Sequence, residues 1–262
     1  MSRFCTLASS SRGNCAYLSG GGAAVLVDAG ISLRAIAGAI SDIGQSVEEL
    51  AGVFITHEHT DHIKGLCTFL KKFKIPLYAS PATLEALIGT GQIPPESVLV
   101  ELSGEVQVGG MSVRAFDTSH DAAQPVGLRF SMPDGRVVGI ATDLGCAGER
   151  IRGALTGCDL VLLESNYDPA MLSAGPYPWP LKRRIAGEAG HLSNEDGAAM
   201  AAYLAARGTT RFVLGHLSVN NNHPAIAYQT ARCELDAAGA REGLDYILSV
   251  APPYNAHPLI VF

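Results

Sequence analysis

No apolar run in this 262-residue sequence reaches the 18 or more residues of a membrane-spanning helix, so no membrane association is expected. Charge is scarce at 17%, while apolar residues reach 47%. That balance excludes a disordered chain and supplies a substantial core. Length and core together predict one domain over residues 1–262. Paired cysteines are missing too: Cys5, Cys15, Cys67, Cys146, Cys158 and Cys233 are scattered, with no CxxC. Reduced thiols in a cytosolic protein fit this better than a disulfide framework. The opening MSRFCTLASSSRGN has no apolar centre of a signal peptide, so a cytoplasmic location is expected. Basic charge is also short, with 19 Lys and Arg against 25 Asp and Glu and a net charge of −6. This argues against a generally basic nucleic-acid-binding surface. It leaves a nuclease open, because bound divalent metals supply positive charge that the count omits. Linkers, low-complexity tails and internal repeats are absent. Nothing in the sequence chooses between a monomer and a homodimer.

Apolar runs bounded by glycine are plentiful. The stretches 23–30, 52–59, 76–80, 111–120, 126–132, 136–145, 158–166 and 211–218 read as strands, several of them apolar on both faces as in a covered sheet. Helical periodicity covers 32–44, with Ser32 as N-cap, and also 61–73, 80–89 and 194–208. Gly20-Gly21-Gly22 predicts a hairpin turn. The proline-rich GPYPWPLKRR at 175–184 is expected to be an ordered, irregular surface loop. Strands clustered in hairpin-like groups among helices indicate an α/β fold other than a simple doubly wound parallel sheet.

The densest polar signal is THEHTDHIKG. It places His57, His59, Asp61 and His62 within six residues, between an apolar strand and an amphipathic helix. Alternate residues of an extended segment point the same way, so His57 and His59 can share one metal. Asp61 and His62 open the helix and project to a second position. Imidazole and carboxylate ligands suit zinc, manganese or iron. The pattern is not the helical HExxH motif, because Asp61 stands where that motif has its second histidine.

Elsewhere single polar residues close apolar runs: Asp28 in VLVDAG, His120 in FDTSH, Asp143 in IATD and His216 in VLGH. Alone, each of His120, Asp143 and His216 reads better as a cap or a surface residue than as a ligand. Together they share the strand-end placement of His57, which is where binding groups converge in layered folds. Asp28 is read as a support residue that accepts a histidine N–H or orders the metal loop. The tetrapeptide GHLS occurs at 190–193, before a helix, and at 215–218, closing a strand.

These motifs resemble the metallo-β-lactamase fold superfamily, whose HxHxDH is matched by His57, His59, Asp61 and His62 and whose further elements are matched in order by Asp28, His120, Asp143 and His216. The segments LASSSRGNCAYL, ESNYD, GPYPWPLKRRIAGEAGHLSN and GHLSVNNNHP look like its WalJ/YycJ group of nucleases. The resemblance implies a four-layer αββα sandwich with a binuclear centre. It further implies that His57, His59 and His120 hold one ion, that Asp61, His62 and His216 hold the other, and that Asp143 bridges them. The ions implied are zinc or manganese, with iron(II) as the alternative. The run from Asp143 to His191 is too short for the insertion of the β-CASP nucleases.

The resemblance also implies a phosphodiesterase acting on nucleic acid, a nuclease like a DNA 5′-to-3′ exonuclease, with catalytic residues Asp61 and His191. Two divalent ions lower the pKa of a shared water towards ~7 and offset charge on the phosphate. His191 matches by chain order the histidine that protonates the leaving alkoxide in phosphodiesterase relatives, a contribution of about 10²–10⁴-fold. Ser11, Arg12 and Asn14 in SSSRGN form either a backbone nest for phosphate or an ordinary hairpin turn. Lys182, Arg183 and Arg184 either track a nucleic-acid backbone or form a solvated helix face. A small-molecule substrate (a cyclic phosphodiester, thioester or lactone) is the competing reading. His223 and His257 are left outside the ligand set.

Overall fold

A computed structural model describes all residues from Met1 to Phe262. The first strands are β1 (Arg3–Ser10), β2 (Gly13–Gly20) and β3 (Ala23–Val27), followed by helix α1 (Leu33–Asp42) and strand β4 (Leu50–Phe54). Helices α2 (Thr60–Ile63) and α3 (Leu66–Phe73) come next, then β5 (Leu77–Ala79), α4 (Pro81–Gly89) and β6 (Leu99–Glu101). Strands β7 (Glu105–Val108), β8 (Met111–Asp117), β9 (Val126–Ser131) and β10 (Val137–Ala141) lead to α5 (Glu149–Leu155) and β11 (Leu160–Glu164). The remainder comprises α6 (Pro169–Ala174), α7 (Trp179–Ile185), α8 (Asn194–Ala205), β12 (Arg211–Gly215), α9 (Pro224–Ala237), β13 (Ile247–Val250) and β14 (Ile260–Val261).

The chain forms two compact units. The first comprises Met1–Ala115, Ala122–Arg136 and Pro252–Phe262, and the second comprises Phe116–Asp121 and Val137–Ala251. In the first, a sheet runs in the order β14-β1-β2-β3-β4-β5-β6. Its β14-β1-β2-β3 pairings are antiparallel and its β3-β4-β5-β6 pairings are parallel. The β2–β3 hairpin turns at Gly21 and Gly22, with φ of 63° and 88°, a left-handed pair that a two-residue hairpin demands and glycine supplies freely. Helix α1 is capped by Ser32, whose hydroxyl accepts the Ala35 N–H at 3.3 Å. It buries Ile36 and Ile40, one turn apart, against Leu7, Tyr17 and Leu26. Each isoleucine stabilises the packing by about 1.5–3 kcal/mol.

In the second unit, four parallel strands run in the order β13-β12-β11-β10. Every residue of β11 is buried, as expected of a parallel strand covered on both faces. Leu155, Val161, Leu163, Leu204, Phe212 and Leu235 form its core.

Three expectations change. The helix expected at 61–73 divides into α2 and α3 around Gly65, where any Cβ would lie 2.0 Å from the Ile31 carbonyl oxygen. The strand expected at 111–120 ends at Asp117, so His120 sits in the loop beyond it. The stretch expected as an irregular loop contains α7, because Pro180 falls in the first turn, where the missing N–H costs nothing. No helix is long and apolar enough to cross a membrane.

Candidate metal centre

In the first unit, β4 runs into buried Thr56 and His57, and the chain then turns through His59 into α2, which carries Asp61 and His62. Asp28 follows β3 with a left-handed φ of 61°, a conformation that costs a non-glycine residue about 1–2 kcal/mol. The turn is held from several sides. The Ala29 N–H donates to the His62 carbonyl at 2.7 Å, the Gly65 N–H to the Ala29 carbonyl at 2.8 Å, and the Gly30 N–H to the Asn14 carbonyl at 2.8 Å. Gly30 leaves no room for a side chain, since its Cβ would meet the Asp61 carbonyl oxygen at 1.6 Å.

The Asp28 carboxylate accepts the Thr56 N–H at 2.9 Å and the Thr56 hydroxyl, which lies 3.0 and 3.1 Å from its two oxygens. It also accepts Nδ1–H of His62 at 2.8 Å. Because the Thr56 hydroxyl spends its one proton on Asp28, its oxygen accepts Nδ1–H of His57 at 3.1 Å. Asn14 confirms the tautomer of His62. Its Oδ1 accepts the Ser10 N–H at 3.1 Å, which fixes the amide, and its Nδ2 donates to His62 Nε2 at 3.1 Å and lies 3.3 Å from Asp61 Oδ2. The His57 ring centroid is 4.7 Å from that of His59 and 4.1 Å from that of His62.

In the second unit, Asp143 and His216 each follow a buried strand with left-handed φ values of 58° and 56°. With Asp28 they are three of the four non-glycine residues in that conformation; the fourth, Lys74, caps α3. Backbone strain therefore gathers at the strand-end polar residues. His120 donates Nδ1–H to the Gly190 carbonyl at 2.9 Å, with its Nε2 3.7 Å from Asp143. Burial holds the His120 imidazole below its usual range, against the opposing pull of Asp143.

Glu164, at the end of β11, is the group that sequence reasoning missed. Its side chain is 0% exposed. Oε1 accepts Nδ1–H from both His191 (2.9 Å) and His216 (2.8 Å), and Oε2 accepts the N–H groups of Leu144 (2.9 Å) and Leu192 (3.2 Å). Burial alone would raise this carboxyl; the His191 charge and the imidazole hydrogen bonds outweigh it and hold it below the ordinary carboxylate range. The available signal was an acid closing an all-apolar strand, LVLLE, in the same placement as Asp143 and His216.

The two GHLS histidines thus share one carboxylate, but not one environment. The His216 side chain is 1% exposed and that of His191 is 15% exposed. The His191 ring lies 5.0 Å from His120 and 5.3 Å from His216. Asp143, Glu164, His191 and His216 each bring a ligand atom within 4.8 Å of the others. Both Glu164 oxygens are already occupied by donors, which makes it a support for the imidazoles.

The donor chemistry fits divalent metal. His57, His62, His120 and His216 each give Nδ1–H to an oxygen, the tautomer whose Nε2 carries a lone pair, which in His62 faces the Asn14 amide, and the form in which imidazole binds metal. Ser11 and Arg12 are exposed at the tip of the β1–β2 hairpin, whereas Asn14 is buried against Asp61 and His62. Lys182 Nζ donates to the Ser173 carbonyl at 2.6 Å, Arg183 is exposed, and Arg184 makes a two-pronged pair with Asp121 at 2.5 and 2.9 Å. His223 caps α9 by accepting the Ala225 N–H, and His257 donates to the Pro258 carbonyl.

Residues 23–217 match the family described as beta-lactamase superfamily domain. The chain is 36% identical over 240 residues to the exodeoxyribonuclease YycJ of Bacillus anthracis, covering 90% of each chain. It is 35% identical over 261 residues to the exodeoxyribonuclease WalJ of Streptococcus pneumoniae, covering 98% of this chain and 97% of that one. Among solved structures, a diphosphatase from the PhnP family superposes with a TM-score of 0.70 at 15% identity, covering 99% of this chain and 98% of that one. That likeness concerns the fold, an α/β sandwich of two mixed sheets flanked by helices.

Proposed function

Because the chain belongs to the metallo-β-lactamase superfamily, in the group of the YycJ and WalJ exodeoxyribonucleases, we propose that it is a divalent-metal-dependent phosphodiesterase that degrades DNA from the 5′ end. His57, His59 and His120 would hold one ion, Asp61, His62 and His216 a second, and Asp143 would serve both. Zinc or manganese suits these nitrogen and oxygen donors. When bound, the ions supply an acidified water and offset the charge of the phosphate. We treat residues 1–262 as one functional domain, since the family match runs through both units. A cytoplasmic setting is in keeping with the six free thiols.

The observation that carries this reading is the shared Glu164 carboxylate. It receives Nδ1–H from two imidazoles, one of them buried and the other 15% exposed. Buried His216 suits a ligand. His191, partly exposed and with Nδ1–H on Glu164, suits a general acid: as an imidazolium it carries a second proton on Nε2, gives that proton to the leaving sugar oxygen and is left neutral with its Nδ1–H on Glu164. Asp61, whose side chain is 25% exposed while that of His62 is 0% exposed, is assigned to the catalytic set as well as the metal set. Asp28 and Asn14 orient His62 and Asp61 from behind.

The test is a panel with added Mn²⁺ or Zn²⁺: 5′-phosphorylated duplex DNA, single-stranded RNA, bis-p-nitrophenyl phosphate and a thioester. Metal-dependent digestion of the duplex is expected. Turnover of the thioester alone would overturn the reading.

A further inference from the structure

The sole tryptophan of the chain stands on the surface. Trp179 opens α7 and is 70% exposed. It forms one wall of a cavity of about 290 Å³ between α6 and α7, together with Tyr167, Pro169 and Leu172, and Lys182 and Arg183 form the rim. That volume sits at the small end of ligand pockets, roughly 300–1,000 Å³. An apolar slot walled by an exposed indole and rimmed by two cations matches one flat, uncharged ring attached to a phosphodiester chain. In a protein of net charge −6, these cations stand out further. Arg184 is committed to Asp121, and Lys182 touches a carbonyl, but Arg183 makes no ion pair.

The slot is tied to the proton-donor segment by main chain on both sides. The Ile185 carbonyl at the end of α7 accepts the His191 N–H at 2.9 Å. Tyr167, in the cavity wall, pairs with Ser193 as an isolated parallel bridge, and its carbonyl accepts the Asn194 N–H at 2.8 Å. From Trp179 to Ile185 the helix rises about 9 Å, or roughly three bases at 3.4 Å per step.

We propose that the α6–α7 slot is a nucleobase-stacking subsite: Trp179 stacks on an unpaired base of the DNA strand a few nucleotides from the scissile bond, while Lys182 and Arg183 contact the adjoining phosphates. This rests on the DNA-degrading reading above and adds where the strand is gripped. Stacking tolerates any base, so the subsite provides purchase without sequence preference.

A single tryptophan makes the subsite directly observable. Full-length protein is titrated with a short phosphorothioate-linked oligothymidylate while Trp179 fluorescence is read. Saturable quenching is expected, and a strand of the same length lacking bases should bind more weakly and quench little. In a label-based assay, Trp179→Ala should weaken binding by about 5- to 150-fold, Trp179→Phe should retain most of it, and Arg183→Ala should lower the salt dependence. Unaltered oligonucleotide affinity in Trp179→Ala, or a dimer that this variant dissociates, would overturn the proposal while leaving the nuclease reading standing. Failure of the wild-type protein to digest any DNA would remove the nuclease reading instead, and the quenching titration would still report on the slot.

Discussion

Replacing Glu164 by glutamine keeps the shape of the side chain and changes only what one of its terminal atoms can do. The carboxylate receives four donors: Nδ1–H of His191 and His216 on one oxygen, and the N–H groups of Leu144 and Leu192 on the other. A glutamine amide can accept on one side only. The backbone donors cannot rearrange, so the amide oxygen turns to them and the NH₂ faces the imidazoles. Each imidazole then avoids a donor–donor clash by moving its proton to Nε2, which in His216 is the nitrogen it would offer to a metal. Two hydrogen bonds to a charged acceptor, about 1.5–3 kcal/mol each, become neutral ones of about 0.5–1.5 kcal/mol, a loss of roughly 2–3 kcal/mol in all. For a chain of this size that lowers Tm by about 4–12 °C. Metal affinity should fall by about 10–100-fold, the usual effect of losing a group that orients a ligand histidine. Metal titration, a thermal melt and NMR of the histidine ring nitrogens test the three consequences together. A Glu164→Gln protein with wild-type metal affinity and unshifted histidine tautomers would refute the reasoning.

The remaining predictions concern single positions. His216→Ala should lose one ion by elemental analysis; a fully loaded variant would remove His216 from the ligand set. Gly30→Ala places a methyl group 1.6 Å from the Asp61 carbonyl oxygen, so the motif turn must move. A loss of more than about 3 kcal/mol or of metal is expected, against wild-type melting and loading if the turn is slack. In a mass-spectrometric alkylation time course at mild alkaline pH, exposed Cys146 and Cys233 should label first. Cys5 should stay unlabelled in the native state, because burial pushes its thiol up to about 12 and no thiolate forms there; early labelling of Cys5 would show that the first unit opens readily.

Much of the site is legible in the sequence because strand ends are legible. An apolar run that stops on Asp28, Asp143 or His216 announces where a strand delivers a polar group, and all three adopt the left-handed conformation just past their strands. The HxHxDH turn reads as a cluster because its residues are neighbours in the chain. Glu164 escaped because its partners, His191 and His216, are 27 and 52 residues away, and only the folded β11 and β12 bring them to one carboxylate. Gly30 and Gly65 look like ordinary loop glycines until the carbonyls of Asp61 and Ile31 are seen beside them. Helix α7 was hidden by three prolines that read as loop signals, although Pro178 caps the helix and Pro180 lies in its first turn. The repeated GHLS is not a structural repeat. Ser193 caps α8 by accepting the Asp196 N–H, whereas Gly215 ends β12 and His216 turns the chain.

The central claim is that one carboxylate prepares a metal ligand and a proton donor side by side in a phosphodiesterase. It is tested most directly by His191→Ala, with metal content and digestion of 5′-phosphorylated duplex DNA measured on the same preparation. The account predicts the wild-type complement of divalent ions and a rate reduced by about 10²–10⁴-fold. A variant that loses an ion, or one that digests DNA at the wild-type rate, would contradict it.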